Sequence, residues 1–156
     1  EIAPVMDATH VLWSSTRIRE DLANGAPTKA ALALGRHWEI EGVVLHGEKR
    51  GRTLGFPTAN IALGEFVRPM FGVYAVRVML AGQKHNGVAN IGVRPTVDGQ
   101  CESLEVHIFD YSGDCYGQSI RVGLVDLIRP EQRFDTLEAL KNQINQDCLV
   151  AKRLLE

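Results

Sequence analysis

The sequence predicts a mainly β domain, a small antiparallel barrel with a C-terminal helix. Short apolar runs at 38–46, 71–80, 85–92, 104–108 and 118–125 are separated by glycine-containing turns, which is typical of strands. Residues 136–155 change to the three-and-four spacing of an amphipathic helix. Five or six short strands favour a barrel, because closure leaves no strand edge exposed.

Alternation predicts which strand faces point inward. One face of 71–80 carries Tyr74, Val76, Val78 and Leu80, one face of 104–108 carries Leu104, Val106 and Ile108, and one face of 118–125 carries Ile120, Val122 and Leu124. Glu105 and His107 fall on the opposite face of their strand, outside the predicted core. Ala81-Gly82-Gln83-Lys84 predicts a hairpin turn.

Helix signals mark both ends of the chain. Asp135 or Thr136 caps the last helix, and the spacing from Asp135 to Glu138 is that of a capping box. We expect its apolar stripe to lie against the barrel: Leu137, Leu140, Ile144, Cys148, Ala151 and Leu155. Ser14 or Ser15 caps a helix at about 16–24 that stops at Asn24-Gly25, and Pro27 starts a second one that ends at Gly35. These two helices are either a hairpin packed on the main domain or the tail of a larger domain.

Composition narrows the class of protein. A chain of 156 residues with 45% apolar and 23% charged residues suits one well-packed core. The net charge of −2 and the 6% aromatic content disfavour a nucleic-acid binder, and no apolar run is long enough to span a bilayer. Cys101, Cys115 and Cys148 are far apart, which disfavours disulfides or a zinc site and fits the cytoplasm.

Residues 47–60 combine glycines, cations and oxygen donors. Gly47, Gly51 and Gly55 recur every fourth residue among Lys49, Arg50 and Arg52, a pattern that suits a phosphate-binding flap. Thr58 and Asn60 follow Pro57 at a spacing that puts two hard oxygens on one side of an extended chain, which suits Mg²⁺. A basic surface hairpin with turn glycines explains the same residues equally well.

The run GRTLGFPTAN at 51–60 resembles the signature loop of riboflavin kinases, in particular the kinase module of bacterial bifunctional riboflavin kinase/FMN adenylyltransferases. The resemblance implies a six-stranded antiparallel Greek-key β-barrel with a C-terminal helix over 38–156. It also implies phosphoryl transfer from MgATP to the 5′-hydroxyl of riboflavin, giving FMN and ADP as part of FAD biosynthesis. Mg²⁺ would be held by Thr58 and Asn60, and the nucleotide by Gly47, Lys49, Gly51, Arg52 and Thr58.

Three further stretches match the same family in order. Leu104-Glu105-Val106-His107-Ile108 resembles the strand that carries the catalytic base, which implies Glu105 as the base with His107 as its rival. Residues 87–96 resemble the second flap, where Asn90 would touch the nucleotide. Residues 129–134 resemble the flavin loop, implying contacts from Arg129, Gln132 and Phe134, although Phe134 serves equally well as the hydrophobic staple of the last helix.

Residues 1–37 are interpreted as a helical remnant of an adenylyltransferase module. SSTRIR at 14–19 resembles a phosphate-holding motif near the end of that module, but Trp13 is a departure and no HxGH-type motif is present. We therefore expect FMN formation without FAD formation. The alternative function is a flavin- or nucleotide-binding barrel without catalysis. Oligomeric state is not predicted, and neither nucleic acid nor membrane is expected as a partner.

Overall fold

The computed structural model describes residues 14–47, 50–96 and 99–156, and it contains the predicted barrel with its C-terminal helix. The sheet has six antiparallel strands: β1 Trp38–Val43, β2 Ala59–Ala62, β3 Gly72–Leu80, β4 Gln83–Thr96, β5 Gly99–Ile108 and β6 Ser119–Pro130. Their order in the sheet is β1-β6-β3-β4-β5-β2. Strands β3, β4 and β5 are consecutive neighbours and β6 returns to lie beside β3, which is a Greek-key arrangement. Within the described ranges, no helix combines the length and the apolar character needed to cross a bilayer.

Helices precede the barrel, interrupt it after β1 and follow it. Within the described residues their bounds are α1 Ser15–Ala23, α2 Pro27–Leu34, α3 Arg50–Leu54 and α4 Leu137–Leu155. Strands β4 and β6 are longer than predicted, so Arg129 belongs to the end of a strand rather than to a loop.

The barrel interior is filled by the faces that alternation predicts. Tyr74, Val76, Val78 and Leu80 of β3 are at most 2% exposed, and the predicted inward residues of β5 and β6 are buried with them. The β3–β4 hairpin turns at Ala81 and Gly82, both with positive φ, which suits the twist of a two-residue loop.

The barrel is nearly closed between β1 and β2. Beyond the end of β1, the backbone N–H of Leu45 donates to the Asn60 carbonyl oxygen at 2.8 Å. A Cβ on Gly42 would lie 2.4 Å from the Ile61 side chain, so the two strands touch where they share few hydrogen bonds. The close approach requires glycine at 42.

The N-terminal helices begin and end where their caps predict. The Ser14 side chain accepts a hydrogen bond from the Arg17 backbone N–H at 3.2 Å, and Gly35 ends α2 with φ of 70°. Helix α2 is tied to the barrel because the Thr28 hydroxyl donates to the Val125 carbonyl oxygen at 3.2 Å.

The apolar stripe of helix α4 is buried in the second half of the helix and less buried in the first half. Thr136 is the cap, accepting from the Ala139 N–H at 3.1 Å, so the capping-box spacing counted from Asp135 does not apply. Ala151 and Leu155 pack on the outer face of β3 and β4, as predicted. Leu137 is 71% exposed, so the prediction that the whole stripe lies against the barrel is wrong at the start of the helix, whereas Leu140 and Ile144 are half-buried.

Candidate functional site

One row of side chains crosses the outer face of the sheet. Strand register pairs Glu105 of β5 with Asn60 of β2 on one side and with Asn90 of β4 on the other. The row continues to Val73 of β3 and Arg129 of β6. Directly paired residues share a face, so three strands bring together a carboxylate and two amides that lie far apart in the sequence.

Asn60 is the member of this row whose side chain has a buried acceptor without a hydrogen-bond partner among the described residues. It is only 6% exposed, and its Nδ2 donates to the Thr58 carbonyl oxygen at 3.3 Å. That bond fixes the amide, and Oδ1 is then a buried acceptor without a hydrogen-bond partner in the described structure. A buried acceptor without a partner is unfavourable unless a ligand completes it. The arrangement fits a hard cation, which takes carbonyl and hydroxyl oxygens.

Gly47 lies directly against Asn60. A Cβ at position 47 would be 2.3 Å from Nδ2 and 2.8 Å from Cγ of Asn60. Contacts this short do not occur, so any larger residue at 47 would displace the amide. Close packing therefore requires the first glycine of the predicted flap.

Among its described residues, 47 and 50–60, the flap contains a helical turn and not the predicted alternative of a surface hairpin. Helix α3 spans five residues, and the Phe56 N–H donates to the Gly51 carbonyl oxygen at 2.7 Å where the turn ends. A Cβ on Gly51 would lie 2.3 Å from the Phe56 carbonyl oxygen, and Gly55 has φ of 90°. Lys49 and the side chain of Arg52 lie outside the described structure.

An apolar cavity of about 260 Å³ lies between this turn, the outer face of the sheet and the first half of α4. Its lining comprises Gly51, Leu54, Phe56, Thr58, Val73, Val88, Ala89, Asn90, Glu105, His107, Leu140 and Ile144. Its few polar side chains are Thr58, just before β2, and Asn90, Glu105 and His107 on the strands. Leu140 and Ile144 of the α4 stripe form the wall opposite the sheet.

A second cavity of about 340 Å³ opens at the mouth of the barrel. It is lined by Pro57, Thr58, Ala59, Val106 and Ile108 together with the loop 111–116. Thr58 borders both cavities. Cys115 belongs to the loop, and burial together with the neighbouring Asp114 carboxylate raises the pKa of its thiol.

His107 faces the same side as Glu105 but is engaged with the chain. Its Nδ1 lies 2.9 Å from the Pro57 carbonyl oxygen, and its ring meets Phe56 and Phe109 edge-on at centroid distances of 5.6 and 5.8 Å. Glu105 is half-buried beside it, as the alternation of β5 predicts.

The predicted flavin residues lie between the end of β6 and the start of α4. Arg129 Nε and a terminal nitrogen hold the Asp147 carboxylate at 2.8–3.0 Å, and Gln143 donates to the same carboxylate at 2.9 Å. Phe134 lies beneath the guanidinium, 5.5 Å from Arg129 Cζ to the ring centroid, and Gln132 is exposed. Arg129 is thus committed to a side chain that is 4% exposed.

Sequence reasoning missed the apolar walls and the Asp147 partner. Leu140 and Ile144 carry an amphipathic signal, but the periodicity of a stripe does not say whether protein or ligand covers it. Val73 of β3 and Val88 of β4 lie on the face opposite the barrel core. A strand with apolar residues on both faces is typical of a sheet that is covered on both sides, and this pattern in the sequence could have predicted the second packed surface.

Comparison with known proteins gives a consistent result. The family model described as "Flavokinase: Riboflavin kinase" matches residues 34–155. The bifunctional riboflavin kinase/FMN adenylyltransferase of Haemophilus influenzae is 49% identical over 148 residues, which cover 94% of this chain and 47% of the relative. The Escherichia coli K12 protein of the same name is 50% identical over 140 residues, covering 89% and 45%. The chain spans about half the length of these curated relatives.

Two solved structures share the fold. A Streptococcus pneumoniae chain named as a macrolide-efflux protein is 39% identical with a TM-score of 0.85, over 94% of this chain and 48% of that one. A riboflavin kinase from Trypanosoma brucei is 23% identical with a TM-score of 0.53, over 75% and 78%. The second likeness concerns the fold alone.

Proposed function

The chain belongs to the riboflavin kinase family, and from that premise we propose that it transfers the γ-phosphoryl group of MgATP to the 5′-hydroxyl of riboflavin. The products are FMN and ADP. This activity makes the chain a kinase rather than a flavin- or nucleotide-binding module without catalysis. An intact carboxylate on the cavity wall favours the kinase, since binding alone needs no proton acceptor.

One observation carries the proposal: two cavities meet at Thr58. One is mainly apolar and has Glu105 on its wall, and the other is bordered by the loop 111–116 with its polar residues. The apolar cavity suits the flat isoalloxazine ring of riboflavin, with the ribityl chain directed toward Glu105. The mouth cavity, which opens beside the flap, suits the nucleoside of ATP. Phosphoryl transfer needs the two substrates to meet end to end, and a shared wall residue between two cavities supplies that arrangement.

Each polar group of the site has a proposed role in the reaction. Glu105 accepts the proton of the attacking hydroxyl. Thr58 and Asn60 hold Mg²⁺, for which the partnerless Oδ1 of Asn60 is the supporting observation. The metal, when bound, neutralises charge on the phosphates. Gly47, Lys49, Gly51 and Arg52 surround the phosphates, and Asn90 orients the reacting end beside Glu105.

At the flavin end, Gln132 and Phe134 meet the ring. Arg129 contributes through Phe134 and α4, because its Nε and one terminal nitrogen are already bound to Asp147. Leu140 and Ile144 of α4 then cover the ring from the helix side. The family resemblance predicts a direct flavin contact for Arg129, and the ion pair with Asp147 is the reason that we propose an indirect one.

The division of the chain into modules, and its compartment, are separate proposals. SSTRIR precedes the barrel and resembles an adenylyltransferase motif, so we assign residues 1–37 to the end of such a module and 38–156 to the kinase. Free thiols at all three cysteines support a reducing compartment, the cytoplasm. Nothing in the described site favours the efflux after which the Streptococcus pneumoniae protein is named.

The test is product analysis. Riboflavin and MgATP are incubated with the chain, and FMN, FAD and ADP are separated by chromatography, with Glu105→Gln as the matched control. FMN and ADP formed in equal amounts by the parent chain alone support the proposal. Riboflavin binding without FMN would establish the non-catalytic alternative, and FAD formation would overturn the expectation that this chain makes FMN only.

A further inference from the structure

His107 is a cavity residue whose donor is already used. A carbonyl oxygen only accepts hydrogen bonds, so the 2.9 Å contact to the Pro57 oxygen requires the proton on Nδ1. In the neutral ring the remaining lone pair is on Nε2. The side chain is therefore fixed in both tautomer and orientation by the main chain that leads into Thr58.

The bond lies where the β2–β5 ladder stops. The last backbone pair at this end is Ala59 with Val106, and the same register would place Thr58 opposite His107. Strand β2 begins only at Ala59, however. The His107 imidazole therefore makes the next contact between β5 and the chain before β2, with a side chain in place of a backbone group. Its hydrogen bond holds Pro57, the residue before Thr58.

The ring also contacts the residue before Pro57. His107 meets Phe56 edge-on at 5.6 Å with an interplanar angle of 85°. Phe56 and His107 both line the apolar cavity, whereas Pro57 lines the mouth cavity. One side chain thus contributes a packed ring to one cavity and a hydrogen bond to the segment that borders the other.

We propose that His107 is a positioning residue that acts through two separable groups of atoms: Nδ1–H holds the Pro57 carbonyl and so sets Thr58 for MgATP, while the ring edge sets Phe56 for the flavin cavity. This inference rests on the proposed function. It assigns the role of base to Glu105 alone, and because Nε2 of His107 keeps its lone pair, the His107→Asn variant described below checks that assignment.

Two substitutions at one position separate the two tasks. In His107→Asn, the amide nitrogen can occupy the place of Nδ1, so the donor is kept and the ring is lost. In His107→Phe, the ring is kept and the donor is lost. We expect the Phe variant to raise KM for MgATP about two- to tenfold, the range of one ordinary hydrogen bond, with a smaller effect on KM for riboflavin. The Asn variant should show the opposite split.

A measurement on the unaltered chain makes the test independent of variant folding. Long-range ¹⁵N–¹H NMR at mildly alkaline pH reports the tautomer, and the proposal requires Nδ1–H for His107. Unfolding midpoints of both variants accompany the kinetics, and calorimetric titration with MgADP measures nucleotide binding without turnover.

The outcomes are distinct. The opposite KM splits with an Nδ1–H tautomer support the proposal. An Nε2–H tautomer, or a Phe variant with normal MgATP kinetics and normal MgADP affinity, overturns it. A collapse of kcat in His107→Asn at a normal unfolding midpoint also overturns it, because Nε2 would then be the proton acceptor. If the unaltered chain forms no FMN, the proposed function fails, whereas the tautomer and the MgADP titrations still decide the role of His107.

Discussion

Replacing Asn60 by Leu should remove activity without removing stability. The two side chains have nearly the same shape, so Leu fits the space beside Gly47 while both polar atoms disappear. Burying an acceptor with no partner costs about 1–3 kcal/mol, and the one bond made by Nδ2 returns about 0.5–1.5 kcal/mol. In the protein without ligand, Asn60→Leu should therefore be between neutral and about 2 kcal/mol more stable than the parent chain.

Tyr74→Phe is the matched contrast. Tyr74 is fully buried, but its hydroxyl donates to the Met70 carbonyl oxygen, so this buried polar group has a partner. Removing it gives up that bond without relieving any unpaired atom, and we expect a loss of about 0.5–1.5 kcal/mol. Two buried polar residues of one barrel should thus respond to apolar replacement with opposite signs.

The assay is urea unfolding of the three proteins, with and without MgADP. A ligand that binds only the folded state raises stability by mass action, so MgADP should stabilise the parent chain and Tyr74→Phe but have little effect on Asn60→Leu. If Asn60→Leu loses as much stability as Tyr74→Phe, its Oδ1 is satisfied within the protein. The fit to a cation would then lose its support.

Four other side chains have defined outcomes. Glu105→Gln should lower kcat by about 10²–10⁴-fold with an unchanged unfolding midpoint and retained riboflavin binding, because Gln keeps the shape but accepts no proton; steady-state kinetics beside thermal unfolding check this. Asp147→Asn removes one partner of a buried ion pair and should cost about 3–5 kcal/mol in urea unfolding. Burial, with a smaller contribution from the Asp147 carboxylate, raises the pKa of the Cys148 thiol to about 11, so its alkylation should be slow near neutral pH and accelerate as the pH approaches that value. Cys115, on the mouth cavity, should be protected from alkylation by MgADP, and equal rates with and without nucleotide would move the nucleotide elsewhere.

The strands were predictable because their faces differ. In β5, burial of Leu104 and Val106 fixes the register, and the same alternation excludes Glu105 from the core. A shift by one residue would bury the carboxylate and expose the apolar side chains, so the sequence tolerates only one arrangement. The place of Glu105 on the outer face is therefore confirmed, while its role as the base stays a prediction.

The residues that surround Glu105 were harder to predict from the sequence. Pairing with Asn60 and Asn90 depends on which strands are neighbours, and strand order is a non-local property that alternation does not contain. The Arg129–Asp147 pair has the same origin, since it joins the end of β6 to the middle of α4. A motif indicates that Arg129 matters, but only packing reveals that its partner is a carboxylate of the protein.

The site lies on the outside of the barrel for a physical reason. The interior is filled by Tyr74, Ile91, Leu124 and their neighbours, which leaves no room there for a tricyclic ring. The outer face can hold one only if something covers it, and α4 does so with Ala151 and Leu155 in its second half. In the first half of the helix, Leu140 and Ile144 are only half-buried and line the apolar cavity, so the helix that packs on the barrel at one end leaves a gap at the other. Glu105 borders that gap from strand β5, and Phe56 and Thr58 of the flap border it as well. Under the proposed function, a carboxylate on a strand of the barrel faces the glycine-containing segment across the cavity, which suits an enzyme that must admit two substrates before it aligns them.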